Sequence, residues 1–106
     1  MAKYLIQGTY TPEGIRGLHK DKASGRKEAV TKMIAALDGK VDAIYFALGD
    51  YDVVVIADAP DAISAAAVGL TVSASGLVRT KTTPLLTVEE TDKALSKKVS
   101  YRPPGG

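Results

Sequence analysis

The sequence predicts a single α+β domain with elements in the order β-α-β-β-α-β, followed by one further helix. Three observations carry this. Four segments, Tyr4–Tyr10, Val41–Leu48, Val53–Ala57 and Leu77–Leu86, are rich in β-branched, aromatic and alternating apolar residues, the mark of strands. Two segments between them carry apolar residues at i, i+3, i+4, i+7: Val30, Met33, Ile34 and Leu37, then Ile63, Ala66, Ala67 and Leu70. That spacing lines one face of a helix. The link between the second and third strands is too short for a crossover, so those two must pair antiparallel.

The elements follow in order. In YLIQGTY (Tyr4–Tyr10), Tyr4, Ile6 and Tyr10 share one parity, and Gly8 marks a close approach. The Gly- and Lys-rich stretch Thr11–Ser24 reads as irregular, with one short helical turn around Pro12–Leu18. Ser24 is placed to cap the first long helix, and Gly39 to stop it. Between the second and third strands, Gly49 and Asp50 are the structural turn and suit a tight type II′ hairpin. Pro60 and Asp61 open the second helix, with proline expected in its first turn. Pro84 lacks an amide hydrogen, which places the fourth strand at a sheet edge. Thr87 and Glu90 match a capping box, so a last helix runs from there to about Lys98. Residues 1–98 thus make one domain, and 99–106 a flexible tail ending in SYRPPGG.

This order is the ferredoxin-like split βαβ plan, a four-stranded antiparallel sheet with its helices on one face. Right-handed crossovers put strands one and three in the centre and strands two and four at the edges. The strands are apolar on both parities. Val53, Val55 and Ala57 point one way and Val54 and Ile56 the other. In strand two Ile44, Phe46 and Leu48 oppose Val41, Tyr45 and Ala47. A sheet buried on both sides is implied. The chain has helices for only one side, so a second copy packed sheet to sheet is the expected cover.

Bulk composition excludes several classes. Fourteen basic against twelve acidic residues leave a net charge of +2, too balanced for a nucleic-acid or anionic-membrane surface. There is no cysteine, which removes disulfides, thiolate catalysis and cysteine-ligated metals. A single histidine, His19, rules out a histidine-rich metal site within one chain, and no cofactor is expected. No apolar run approaches the ~18 residues of a membrane span, and MAKYLIQGTY lacks the pattern of a signal peptide. A cytoplasmic location is expected.

Three blocks, TPEGIRGL (Thr11–Leu18), GKVDAIYFALGDYDVVVIADAPD (Gly39–Asp61) and LVRTKT (Leu77–Thr82), occur in order. Together they resemble the GYD-domain family, whose Gly-x-Tyr-Asp turn is matched by Gly49, Tyr51 and Asp52. The similarity covers about residues 3–98. The resemblance implies a dimeric α+β barrel and no established activity. The barrel superfamily includes monooxygenases, haem-degrading enzymes, isomerases and effector-binding domains, a breadth from which fold alone selects nothing. Lys20–Gly25 and the Pro-Gly tail depart from a typical member, and Asp50 adds a negative charge at the turn.

Six residues are candidates for a ligand site: Tyr10, Arg16, His19, Tyr51, Asp52 and Arg79. Antiparallel pairing brings the end of strand one to the start of strand three, so Tyr10 should meet Tyr51 and Asp52, with Arg79 arriving at the same end. Arg16 and Arg79 would hold a carboxylate bidentately, with Asp52 orienting one of them. His19 would be a base or a ligand, or simply a solvated loop residue. The structural alternative has Asp52 bonding nearby amides, Tyr51 packing at the sheet end and the arginines in ordinary ion pairs. The functional expectation is a homo-oligomeric small-molecule-binding or assembly module, its ligand a small anionic or aromatic compound. The alternative is a cofactor-free enzyme of oxygenase or isomerase type acting on a small aromatic or carboxylate compound; the scarcity of acid–base groups ranks it second.

Overall fold

The computed structural model describes residues 1–106. Its elements are β1 (Ala2–Tyr10), α1 (Pro12–Ala35), β2 (Lys40–Phe46), β3 (Val53–Ala59), α2 (Ala62–Ala74), β4 (Val78–Leu85) and α3 (Val88–Ser96). The strands form one antiparallel sheet in the order β2-β3-β1-β4. This is the ferredoxin-like arrangement, with β1 and β3 central. Pro84 sits on edge strand β4 opposite Tyr4, where its missing donor costs the sheet nothing.

α1 and α2 cover one face of the sheet. Val53, Val55 and Ala57 of β3 point at them and are buried together with Tyr4, Ile34, Ala65 and Val68. The other face carries Leu5, Val54 and Ile56 on its central strands, all only half-buried. On β2 the register slips between Val41 and Ala43. This bulge puts Val41 against the core beside Ile44 and not, as strict alternation predicts, on the face of Tyr45.

Several local expectations are corrected. The stretch Thr11–Ser24 is helical, not irregular: α1 begins at Pro12, and Thr11 caps it by accepting from the Gly14 amide at 3.2 Å. Gly14 and Gly17 read as breakers, but Gly14 is there for contact. A β-carbon at Gly14 would run into the Leu77 carbonyl and the Tyr10 ring. Ser24 lies inside the helix, just after a break at Lys22, whose backbone is at φ 67° and ψ 164°. At the other end Ala36 is the C-cap, and Asp38, not Gly39, takes the left-handed conformation (φ 61°), which aspartate tolerates better than most residues.

The β2–β3 connection is wider than a two-residue turn. Phe46 pairs with Val53, and the Ala47 amide donates to the Asp52 carbonyl at 2.8 Å, closing a loop over Ala47–Asp52. Gly49 is the loop residue at positive φ (120°), as a turn glycine should be. Pro60 lies just before α2 and not in its first turn; Asp61 is the cap, accepting from the Ser64 amide at 2.8 Å.

The stripe of α2 is also corrected. Ala65 and Val68 are buried, with Gly69 and Val72 beside them half-buried. Ile63, Ala66, Ala67 and Leu70 face outward, and Ile63 is 81% exposed. α3 has the expected capping box, Thr87 with Glu90, but ends at Ser96 and buries none of its residues.

Candidate functional site

The end of β1 and the β2–β3 loop are joined by three bonds. The Asp52 amide donates to the Gly8 carbonyl at 2.8 Å. The Tyr10 amide donates to an Asp52 carboxylate oxygen at 2.9 Å. The Thr9 hydroxyl donates to the Asp50 carbonyl at 2.8 Å. The loop is therefore strapped across the end of β1, and Tyr51 is carried with it. The expectation that strand one's end meets Tyr51 and Asp52 holds in space.

The sheet divides the six candidates. Thr9 pairs with Arg79, and Gln7 with Lys81, so these side chains share the helix-free face. There Thr9, Asp50, Tyr51, Arg79, Thr80 and Lys81 line a depression of about 430 Å³. Tyr51 and Arg79 are thus brought together. Neither Arg79 nor Lys81 has an acid within ion-pair distance, so two cations stand free beside a phenol and a hydroxyl. Such a set can accept a small anion.

Tyr10 points to the other face, where it packs against the core cluster of Ile34, Val53, Val55 and Ala57. Arg16 and His19 are exposed on the first half of α1, and neither lines the depression. The carboxylate of Asp52 engages the Tyr10 amide and makes no ion pair with either arginine.

Two features escaped the sequence reading. Lys3 lies between Asp42 and Asp58 on the helix-free face, paired with both, 3.0 Å from Asp58. Its pKa is raised above the ordinary 10.5, first by the bond to Asp42 and then by that to Asp58. The β2 bulge at Asp42 builds this triad, and no periodicity announces a bulge. The second feature is a cleft between α1, α2 and the sheet, lined by hydrophobic side chains and by Arg26. A signal existed here: Arg26 stands at i−4 and i−7 from Val30 and Met33, so it continues their stripe.

No helix is long and apolar enough to cross a membrane. Comparison with curated proteins finds no match, and comparison with solved structures finds none. A family model described as GYD domain matches residues 4–95 of the 106-residue chain. With Gly49, Tyr51 and Asp52 at the loop strapped over β1 and the match running from within β1 into α3, the chain belongs to the GYD-domain family.

Proposed function

We propose that this domain is a homo-oligomeric module that assembles through the helix-free face of its sheet and holds a small anionic or aromatic molecule at the edge of that face. The observation that carries the reading is the face itself. Leu5 lies between Ile56 and Thr83, and Ala43 flanks Ile56 on the far side, giving a mostly apolar row across all four strands. Tyr45, next to Val54, is 67% exposed. Only nine of 106 residues are buried in the isolated chain. A core this small leaves a face whose burial would add roughly 25 cal/mol per Å² of apolar surface.

The Arg79–Lys81 depression opens on that same face, so a second copy would wall it in and lower its dielectric. The residues around the depression are two cations, a phenol, two threonines and one acid, Asp50, a set suited to holding an anion more than to moving a proton. A binding and assembly role therefore ranks above catalysis.

Sedimentation equilibrium at micromolar concentration tests the assembly. A multiple of the 11.1 kDa chain mass is expected, reduced to the monomer by Ile56→Lys. A monomeric native chain would refute it. For the ligand, Arg79→Ala should remove the amide NMR shifts that a small carboxylate induces at Thr9, Tyr51 and Lys81 while leaving assembly intact.

A further inference from the structure

On the opposite side of the sheet, α1 and α2 leave a cleft between them. Its inner part, about 60 Å³, is walled by Ile6, Val30, Met33, Ile34, Val68 and Val72, and 11 of its 14 lining residues are hydrophobic. A second chamber, of about 270 Å³, lies beside it beneath the first half of α1. Tyr10, Arg26, Val72 and Val78 border both spaces, so Arg26 stands at the junction of an apolar interior and a wider mouth. The outer chamber is close to the lower end of small-molecule sites, roughly 300–1,000 Å³, whereas the inner part is smaller than the ~150 Å³ that accepts benzene.

Arg26 is not satisfied by the protein. Its side chain is only 32% exposed, and the one acid near it, Asp21, is 3.9 Å away, beyond hydrogen-bond distance. No polar atom of Arg26 is both buried and without a partner, so its guanidinium reaches solvent at the mouth of the cleft, and a carboxylate arriving there exchanges that water for a charge-assisted pair. Asp21 and Arg26 lie on either side of Lys22, where α1 is broken at φ 67° and ψ 164°. That conformation is nearly restricted to glycine, and strain of this kind collects at functional positions.

We propose that this cleft is a binding site for a small carboxylic acid with an apolar or aromatic body. The body occupies the outer chamber against Tyr10, Val72 and Val78, and the carboxylate takes the Arg26 guanidinium in Asp21's place. The break at Lys22 is the point where the half of α1 bearing Asp21 can turn away from the half bearing Arg26. The site is separate from the Arg79 depression and does not depend on sheet-to-sheet assembly.

Titration of the full ¹⁵N-labelled chain with phenylacetate and with ethylbenzene, followed by amide NMR, tests this. Phenylacetate should produce saturable shifts at Tyr10, Arg26 and Val72 and bind at least about tenfold more tightly than ethylbenzene, the effect of one charge-assisted bidentate contact. Arg26→Gln should remove that preference, and Asp21→Asn, which deletes the competing acid, should strengthen phenylacetate binding. No saturable shift with phenylacetate would overturn the proposal, as would equal affinity for the two probes in the native chain, a comparison that needs no variant. Shifts confined to Thr9, Tyr51 and Arg79 would likewise overturn it and point to the other face.

Discussion

The Asp52 carboxylate accepts a hydrogen bond from the Tyr10 backbone amide at 2.9 Å, across 42 positions of sequence. It does so one residue beyond the paired stretch of β1 and β3, which ends at Gly8 and Val53. The acid of the Gly-x-Tyr-Asp turn thus extends the ladder with a side chain where the backbone ladder stops. The same residue's amide and carbonyl bond Gly8 and Ala47. One residue thereby ties β1, β2 and β3 together at one end of the sheet.

Asp52→Ala should therefore destabilise the domain by about 1–3 kcal/mol, because it leaves a half-buried amide without its charged acceptor. Asp52→Asn keeps an acceptor and should cost less. Urea denaturation of both variants checks the order. Equal stabilities for the alanine variant and the native chain would show that the bond contributes nothing.

In α2, Ala65→Leu should destabilise by about 1–3 kcal/mol through overpacking, since Ala65 is 4% exposed against the sheet. Ala66→Leu and Ala67→Leu, on the outer side, should stay within about 0.5 kcal/mol of the native chain. The reverse result would mean that the helix turns its other stripe to the core.

That helix shows what was legible and what was not. Its existence followed from period and caps, but its rotation did not. Ile63, Ala66, Ala67 and Leu70 satisfy the helical spacing, and so do Ala65, Val68, Gly69 and Val72. A segment apolar all round gives no preferred face. Strand order was readable because element order and crossover handedness fix it, and the edge place of Pro84 and the Thr87–Glu90 box because each rests on the local chemistry of one or two residues. The first half of α1 was hidden because Gly14 is needed for contact with Leu77, and a single sequence does not distinguish a contact glycine from a breaker. Among the six site residues, strand pairing correctly brought Tyr51 to Arg79. It could not say that Tyr10 faces away, because a site drawn by strand ends ignores which face each side chain takes.

The break in α1 makes a prediction of opposite sign. Lys22 holds a conformation costing about 1–3 kcal/mol for a residue with a β-carbon. Glycine removes that strain but adds about 0.5–1 kcal/mol of unfolded-state entropy to be lost. Lys22→Gly should thus raise stability by about 1 kcal/mol, seen as a higher urea midpoint with an unchanged slope. A lower midpoint would show that the break is not strained.

Acid unfolding separates the two capped helices. The Asp61 carboxyl is held below its ordinary 3.8, first by the Ser64 amide, and the Glu90 carboxyl below its ordinary 4.5, first by the Thr87 amide. For a lowered carboxylate, the stabilisation is present above the unfolded pKa and is lost as pH falls through the folded one. Both caps therefore weaken at and below those ordinary values, but their consequences differ. α2 buries Ala65 and Val68 on the sheet, so loss of its cap is coupled to global unfolding. α3 buries nothing and can fray alone, since a helix this short is marginal by itself. Asp61→Asn keeps a good capping acceptor at neutral pH, so it should leave the midpoint there nearly unchanged and flatten the loss of stability below pH 3.8. Glu90→Gln should leave the global transition unchanged at every pH and alter only local amide exchange in α3. Thermal unfolding from pH 7 to pH 2 makes the comparison. An acid limb equally steep in Asp61→Asn and the native chain would show that the α2 cap is not among the groups whose protonation opens the fold.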